Sequence, residues 1–407
     1  MTTQAPLSSF YFFKTGSFFK AGSMSYKTLK LGLTLLLACT WANAQAEVMI
    51  PTAPVIAAKG YILMDAHTGK VLIEQSADEK LDPASLTKIM TDYVIANALS
   101  EGKIKLIDQV PISAKAWKTG GSKMFVKVNS MVSVDELMHG IVIQSGNDAS
   151  VAMAEYIAGS EEAFADLMNL HAKKIGMTHT HFSNSTGLPI ENHYTTARDL
   201  ALLSKQLIHQ FPQNYKLYSQ KEFLYNNIKQ PNRNLLLYRD PSVDGIKTGY
   251  TEEAGYCLVA SSEQNTMRLI SVVMGTKSPE ARATESLKLL TYGFRFYETF
   301  DAYPPGQPIT QAAVWHAAQK TINLGAKESA WITLPRGMKD QVKADFKINA
   351  EIKAPIKPGQ VFGSLSIKLG TEELKVVDLV SLEEIPSGPV LTQAWHWLYL
   401  SVQKWLN

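Results

Sequence analysis

Three short polar motifs, in a fixed order along the chain, constrain this sequence more than any other feature. They are Ser-Leu-Thr-Lys at 85–88, Ser-Gly-Asn at 145–147 and Lys-Thr-Gly at 247–249. The patterns S-x-x-K and K-T-G recur elsewhere in the chain, so neither is specific by itself. Only one S-x-x-K begins a helical pattern, and only one K-T-G follows Ser-Gly-Asn at the start of a strand pattern. The ordered set predicts one site assembled from three distant segments.

Ser85 and Lys88 have the spacing of a nucleophile and its base. Serine is a poor nucleophile until a base accepts its proton, and residues three apart on a helix lie on the same face. Lys88 must be neutral to act as that base, which requires burial or a nearby cation to lower its pKa. Lys247 is the predicted second cation. The set is typical of active-site serine enzymes that use lysine as the base.

The other two motifs supply groups for proton transfer and for binding. The Ser145 hydroxyl can donate and accept, which suits a relay between the base and a leaving amine. Asn147 offers an amide that can orient the base or hold a substrate carbonyl. Lys247 and Thr248, on a predicted strand edge, suit a substrate carboxylate, and Gly249 lets a substrate backbone approach closely.

Composition and missing motifs exclude several other functions. The chain has 407 residues, 45% of them hydrophobic and 19% charged, which is ordinary for globular domains. A formal net charge of +3, without a clustered basic stretch, predicts no nucleic-acid partner. G-x-S-x-G, H-E-x-x-H and a phosphate-binding loop are missing from the sequence. His179 and His181 lack nearby Cys or further His, so we predict no metal and no cofactor.

The N-terminus carries the features of an export signal. Two lysines precede an apolar stretch of about nine residues, too short to span a bilayer, and two A-x-A cleavage sites follow it. We therefore predict an upstream extension and signal peptide over 1–46, with Met24 as the start, and export of the rest. The alternative is a lipoprotein signal ending at Cys39. Without the signal, Cys257 is the single cysteine, and its apolar surroundings predict a buried core residue.

The mature chain divides where the pattern of apolar residues changes. Mixed helix and strand patterns over 47–303 end at a Pro- and Gly-rich segment. The elements predicted within it are a hairpin at 60–73, helices at 133–143, 148–158, 196–209 and 284–298, and strands at 250–261 and 268–274. A capping box of Ser133 and Glu136 begins the first of these helices. Beyond the segment, apolar and polar residues alternate, which predicts a small all-β domain over 304–387.

The last segment, 388–407, predicts an amphipathic helix. At about 100° per residue, its apolar side chains share an arc of about 120°. They are Leu391, Ala394, Trp395, Leu398, Val402, Trp405 and Leu406. With three Trp and one Lys, the segment is typical of a helix that lies in the bilayer surface rather than spanning it. The alternative is a terminal helix packed on the protein.

These motifs, with Asn-Ser-Thr-Gly-Leu-Pro at 184–189 and Asp-Gly-Ile-Lys-Thr-Gly at 244–249, resemble the low-molecular-mass penicillin-binding proteins, and among them the D-alanyl-D-alanine carboxypeptidases. The resemblance covers nearly the whole mature chain. It implies an α/β (α+β) fold like that of serine DD-peptidases and β-lactamases, in which helices flank an antiparallel sheet and a helical subdomain carries Ser-Gly-Asn. A small all-β domain and an amphipathic membrane-anchoring helix follow. It also implies a peripheral location on the periplasmic face of the bacterial inner membrane and a role in cell wall remodelling and cell shape.

The same resemblance implies the reaction. Ser85 would attack the carbonyl between the two D-alanines of a peptidoglycan stem pentapeptide. D-Alanine would leave, and water would hydrolyse the acyl-enzyme. Lys88 would be the base, and Ser145 with Lys247 would pass the proton to the leaving group. β-Lactams would acylate the same serine as covalent inhibitors.

The resemblance further implies how the substrate is held. The backbone N–H groups of Ser85 and Tyr250 would form the oxyanion hole. Arg282 would bind the terminal carboxylate together with Thr248. Tyr250 stands where some family members have His, which leaves the deacylation rate open.

Three alternatives stand beside this interpretation. A class A β-lactamase shares the three motifs but needs a deacylating Glu, usually in an E-x-x-L-N loop, and that string is missing here. A D,D-endopeptidase or transpeptidase would use the same residues on cross-linked peptides. A non-catalytic wall-binding protein would have no need of every motif residue, yet all are present.

Overall fold

The chain is described by a computed structural model over residues 50–349 and 351–406. Its strands are β1 (Gly60–Asp65), β2 (Val71–Gln75), β3 (Gln109–Pro111), β4 (Met131–Ser133), β5 (Glu222–Tyr225), β6 (Ile228–Pro231), β7 (Val243–Thr251), β8 (Gly255–Gln264), β9 (Met267–Thr276), β10 (Tyr297–Asp301), β11 (Thr310–Ala313), β12 (Thr321–Ala326), β13 (Trp331–Pro335), β14 (Val342–Ile348), β15 (Val361–Leu369) and β16 (Glu372–Ser381). Its α-helices are α1 (Lys88–Ser100), α2 (Ala114–Lys118), α3 (Val134–His139), α4 (Asn147–Ala158), α5 (Glu161–Ile175), α6 (Ala197–Gln210), α7 (Pro212–Tyr215), α8 (Leu236–Arg239), α9 (Pro279–Phe296) and α10 (Val390–Leu406).

A five-stranded antiparallel sheet in the order β2-β1-β9-β8-β7 carries the N-terminal domain. Side chains alternate across a strand, and here both faces are covered. On β1, Ile62 and Met64 join the core that contains α1 and α6, while Leu63 joins the core under α9. The predicted fold, an antiparallel sheet flanked by helices, is confirmed. Because β7 ends the order, it is the edge strand next to the helical part.

The helix that precedes Ser145 begins as the sequence predicts. Ser133 Oγ accepts from the Glu136 backbone N–H at 3.2 Å, and Glu136 Oε2 accepts from the Ser133 N–H at 3.2 Å, which completes a capping box. The α-helix then widens into a π-helical turn at Gly140–Gln144 and ends at Ser145, whose φ is 67°. That left-handed residue turns the chain sharply into α4.

Several predicted boundaries differ from the structure. The strand predicted at 250–261 is the end of β7 and most of β8, separated by a turn at 252–254. Lys-Thr-Gly therefore lies in the second half of a strand rather than at its start. The helix predicted at 284–298 begins earlier, at Pro279, because Ser278 caps it by accepting from the Ala281 N–H at 3.0 Å. Helix α5 is not among the predicted elements.

The predicted small all-β domain is built on a second antiparallel sheet, in the order β11-β12-β16-β15-β14. Buried hydroxyl contacts join it to the first domain. Thr299 Oγ1 donates to Asp65 Oδ2 over 2.6 Å, and Thr68 Oγ1 lies 2.8 Å from Thr333 Oγ1. Strand β10 precedes the predicted boundary at 303/304 but pairs with β13, so it belongs with the second domain. Each contact pairs a residue of the first sheet or its turn with one of β10 or β13, so hydrogen bonds link the two domains.

Helix α10 touches the β domain along one edge. The His316 backbone N–H donates to His396 Nδ1 over 2.8 Å, and the Tyr399 ring stacks on Trp315 at a centroid distance of 5.6 Å. Leu400, which interrupts the polar face in the sequence, is buried here. Among the described residues, none of the helices combines the length and the apolar character that crossing a bilayer requires.

Candidate active site

The three motifs meet in one cleft of about 540 Å³ between the edge of the first sheet and the helical part. The predicted site residues that line it are Ser85, Ser145, Asn147, Thr248, Gly249, Tyr250 and Arg282. Lys88 and Lys247 are buried, at 1% and 3% exposure. The fold therefore brings all nine predicted residues to one region, with the two ammonium groups out of bulk water.

Ser85 lies in a tight turn that leads into α1. Residues 84–87 form a 3₁₀ turn, and the Leu86 N–H donates to Pro83 O over 3.1 Å. Ala84, just before the serine, has a φ of 46°. Gly187 packs against this turn so closely that a Cβ placed on it would lie 1.8 Å from Ala84 O. The backbone around Ser85 is thus held in place by the close packing of Gly187.

Lys88 makes three hydrogen bonds with its ammonium group. Nζ donates to Ser85 Oγ over 3.1 Å, to Asn147 Oδ1 over 2.6 Å and to Thr186 O over 2.6 Å. All three acceptors are neutral, so they orient Lys88 without adding a negative charge. Burial, and after it the nearby Arg233 guanidinium, lower the pKa of Lys88 to about 7. A lysine with that pKa is partly neutral near pH 7 and can accept a proton.

Arg233 acts on Lys88 in addition to the predicted cation. The motif spacing predicts Lys247, and the ammonium groups of Lys88 and Lys247 repel each other. The Arg233 guanidinium adds to this effect on Lys88. Burial holds the pKa of Lys247 well below the usual range, and Lys88 and Arg233 lower it further. Its Nζ donates to Thr248 O over 3.1 Å. Because the two buried ammonium groups repel each other, the site favours a state in which at least one of the two lysines is neutral.

Asn147 and Ser145 have different tasks in this geometry. The Asn147 amide is used at both ends, because Oδ1 accepts from Lys88 and Nδ2 donates to Gly120 O over 2.7 Å. Of the two predicted roles for Asn147, the structure shows the orientation of Lys88. Ser145 Oγ is buried and makes no hydrogen bond to any described residue. It is free to accept and pass on a proton within the cleft.

Arg282 approaches the cleft from α9, behind β7. Its Nη1 donates to Gly249 O over 3.0 Å, and its guanidinium lies 5.6 Å from the centre of the Tyr256 ring. Tyr256 in turn stacks on Tyr250 at 4.2 Å. Burial lowers the pKa of Arg282 to about 10, still well above neutral. A charged guanidinium held by carbonyls and a ring keeps its remaining N–H donors for an anion.

Arg233 is the residue that the sequence analysis misses. It lines the cleft and donates from Nη1 to Ser122 Oγ over 2.6 Å. It follows β6 in a short polar segment with no periodic pattern, so nothing local marks it. Gly121 and Ser122 also line the cleft, just after the second Lys-Thr-Gly string of the chain.

A buried lysine beside a serine at the start of α1, facing a sheet edge that carries a second lysine, defines a serine acyl-transferring enzyme. Residues 47–278 match the family described as D-alanyl-D-alanine carboxypeptidase, and residues 297–387 match the C-terminal domain of penicillin-binding protein 5. The chain belongs to the D-alanyl-D-alanine carboxypeptidase family. It is a serine-type DD-carboxypeptidase that acts on peptidoglycan and binds penicillin.

Three relatives illustrate the similarity. The D-alanyl-D-alanine carboxypeptidase DacC of Escherichia coli (strain K12) is 46% identical over 363 residues, which is 87% of this chain and 91% of the relative. The structure of penicillin-binding protein 5 from Haemophilus influenzae superposes with a TM-score of 0.75 at 40% identity, covering 83% of this chain and 100% of the other. Penicillin-binding protein D2 from Listeria monocytogenes, in its ampicillin-bound form, has a TM-score of 0.56 at 28% identity, covering 60% and 100%.

Proposed function

We propose that Ser85 is the nucleophile of this carboxypeptidase and that Lys88 is its base. The observation that carries the assignment is the 3.1 Å hydrogen bond from Lys88 Nζ to Ser85 Oγ, made by a buried lysine with a pKa of about 7. Neutral Lys88 accepts the hydroxyl proton as Oγ attacks the carbonyl carbon of the penultimate D-alanine. A tetrahedral intermediate forms, and its oxygen carries the negative charge.

The oxyanion is assigned to the backbone N–H groups of Ser85 and Tyr250, both residues of the cleft wall. When the intermediate collapses, the bond to the terminal D-alanine nitrogen breaks and that nitrogen takes up a proton. Ser145 and Lys247 pass it on from Lys88. Two features support this route: Ser145 Oγ has no other partner among the described residues, and the pKa of Lys247 is well below the usual range.

Arg282 and Thr248 are assigned to the carboxylate of the terminal D-alanine. Both line the cleft, and within the described part of the chain the Arg282 guanidinium donates to the backbone oxygens of Gly249 and Cys257 and to no carboxylate. A guanidinium paired with a substrate carboxylate gives a strong, directional contact. The enzyme thus recognises a free chain end, which is what separates a carboxypeptidase from an endopeptidase. After D-alanine departs, water hydrolyses the Ser85 ester.

The assignment is tested by labelling and by product analysis. A fluorescent penicillin should label the parent at Ser85, mapped by peptide mass spectrometry, and should not label Ser85→Ala. Pentapeptide incubated with the parent should release one D-alanine per chain. Labelling of Ser85→Ala at the parental rate would show that another residue is the nucleophile.

The same assay separates the related activities. Cleavage of purified cross-linked dimers faster than D-alanine release would favour an endopeptidase. Penicillin hydrolysis with fast turnover, instead of a long-lived acyl-enzyme, would favour a β-lactamase. Tyr250 is the residue to exchange in that comparison, because Tyr250→His replaces the side chain next to the proposed oxyanion hole and leaves the backbone N–H in place.

We further propose that the protein is exported to the periplasm and held on the inner membrane by α10, where it remodels the cell wall and thereby affects cell shape. The signal segment over 1–46 lies outside the described residues. Helix α10 contacts the β domain through His396, Tyr399 and Leu400, while Leu391 and Trp395 are 85% and 66% exposed. An exposed apolar and Trp-bearing arc is stabilised by the bilayer surface.

The membrane proposal has a matched test. Trp395→Ser with Leu398→Ser removes apolar area from the exposed arc, whereas Thr392→Ser with Gln393→Ser changes polar positions of the same helix. The first pair should move the protein from membrane to soluble fractions of cells, and the second should not. D-Alanine release by the purified variants should be unchanged. Equal membrane association of both pairs would contradict the proposal, and unchanged cell shape on deletion of 390–407 would contradict the need for anchoring.

A further inference from the structure

We infer a second binding site, for a stem peptide that bears a free carboxylate and a free amine, in the cleft between the two domains. This cleft measures about 520 Å³, a volume within the range of small-ligand sites. The β1–β2 turn and Lys205 of α6 form one wall, and β13 and the start of β16 form the other. The nature of the ligand rests on the proposed function, whereas the cleft and its charges do not.

The walls of this interdomain cleft are fixed by direct contacts. Lys70 Nζ donates to Thr333 O over 3.3 Å, and Thr68 Oγ1 lies 2.8 Å from Thr333 Oγ1. The His67 ring stacks on the Trp331 indole at a centroid distance of 4.1 Å. Five side chains from two domains therefore close the floor, so a ligand would meet a preformed surface rather than two mobile walls.

Lys205 is the group that points to an anionic ligand. It is half-buried, and within the described residues its ammonium makes no hydrogen bond and no ion pair. The carboxylate that acts on it, Asp65, is already occupied: Oδ1 accepts from the Thr68 N–H and hydroxyl, and Oδ2 accepts from Thr299 Oγ1. Burial lowers the pKa of Lys205, and nearby Lys375 lowers it further. A partly desolvated cation without a bonded anion gains from a ligand carboxylate.

The opposite charge lies on the other side of the same cleft. Glu372 and Glu373 line it from β16, both exposed, and Glu373 accepts from Ser366 Oγ over 2.6 Å. A simple anion would be repelled there, whereas a ligand with a carboxylate toward Lys205 and an amine toward the glutamates satisfies both ends. A stem peptide that ends in a diamino acid has this pair of groups. It also lacks D-alanyl-D-alanine, so it is not a substrate of the catalytic cleft.

The site is tested with the catalytic cleft blocked. Full-length protein, acylated with penicillin, is titrated calorimetrically with N-acetylmuramyl tripeptide ending in meso-diaminopimelate. We expect saturable binding of one ligand per chain, weakened roughly tenfold by Lys205→Met, which removes a charge-assisted contact. Lys357→Met, an exposed lysine elsewhere in the β domain, should bind like the parent. Thermal unfolding and D-alanine release by unacylated Lys205→Met should match the parent and show that the variant is folded.

The contact between the ligand's amine and the two glutamates is tested separately. Glu372→Gln with Glu373→Gln, or acetylation of the diaminopimelate amine on the ligand, should weaken binding several-fold. Absence of binding at millimolar tripeptide, or equal affinity of the parent and Lys205→Met, would overturn the inference. Neither result bears on the carboxypeptidase assignment, because D-alanine release from pentapeptide is measured separately on the unacylated protein.

Discussion

Lys88 Nζ and Asn147 Oδ1 lie 2.6 Å apart, so the amide of Asn147 faces the proposed base. Its other end is held by Gly120 O at 2.7 Å, which fixes the orientation of the amide. Lys88 is therefore positioned by a neutral acceptor. A carboxylate at this place would position the ammonium equally well but would keep it protonated.

Asn147→Asp tests that distinction. In the parent, penicillin acylation should rise with pH through about 7, the pKa of Lys88, because only neutral Lys88 is a base. The added carboxylate should raise that pKa, so the rising limb moves to higher pH by roughly one unit or more. We expect the acylation rate of Asn147→Asp to fall at neutral pH and to recover at alkaline pH. Asn129→Asp, an exposed position, is the control. If the acylation rate of Asn147→Asp rose over the same pH range as that of the parent, the prediction would be contradicted.

Arg233→Gln tests whether the nearby guanidinium, the second cause after burial, helps to lower the pKa of Lys88. Removing this guanidinium should raise the pKa of Lys88, and the acylation limb should move upward by roughly one pH unit or less. Arg239→Gln provides a matched control, since Arg239 lies at the end of the nearby helix α8 and pairs with Glu280 at 2.6 Å. The acylation rate of both variants is measured by stopped flow across pH 5–9. A lysine with a pKa of about 7 titrates within this range. Identical limbs in the two variants would contradict a role for Arg233 in setting the charge of the site.

Gly187→Ala should disturb the nucleophile through its backbone. The new Cβ would lie 1.8 Å from Ala84 O and 2.8 Å from Thr87 Oγ1, so the turn that carries Ser85 must move. Gly187 also has a φ of 79°, which costs about 1 kcal/mol for alanine. Gly176→Ala has the same backbone cost at a φ of 91°, with open space around the Cβ. We expect a more than tenfold loss of acylation in Gly187→Ala alone. Thermal unfolding of both variants measures the backbone strain that they share. A loss found only in Gly187→Ala is then due to the clash of the new Cβ.

Asp92→Asn should stabilise the protein in a pH-dependent way. Asp92 is fully buried on α1, accepts from Tyr218 OH over 2.8 Å, and has an Oδ1 without a partner among the described residues. Burial raises its pKa from 3.8 to about 7. Between these values the folded state binds more protons than the unfolded one, so rising pH removes stability, up to ~4 kcal/mol. The free energy of unfolding of Asp92→Asn should therefore exceed that of the parent at pH 8 and differ little from it at pH 4. A stability difference that does not change with pH would be inconsistent with a titrating Asp92.

The motif residues and the caps were predictable because their signals are local. Ser133 and Glu136 form a capping box within one turn, and Ser85 with Lys88 is a pair within one turn. The prediction that the three motifs form one site needed only their order along the chain. Cys257, in an apolar run of β8, is buried as its surroundings predict.

The residues that sequence reasoning misses act across long separations. Arg233 affects Lys88 from 145 positions away, and Asp92 meets Tyr218 across 126. No periodicity marks such pairs, because only the packing of the helical part against β7 brings them together. The break between β7 and β8 was also missed, although Glu252 and Glu253 mark the turn at 252–254. The interdomain cleft depends on four elements from two domains and has no sequence signal.

Among the strands of the described chain, β7 pairs only with β8, and its motif half lines the cleft. A peptide that lies beside it can join the sheet as an additional strand through main-chain hydrogen bonds, as in other cases of strand addition. Such binding depends on the backbone and the chain end of the ligand more than on its side chains. An inhibitor that imitates only this backbone geometry and its terminal carboxylate would gain the same contacts, and the enzyme cannot lose them by exchanging one side chain without weakening its hold on its own substrate.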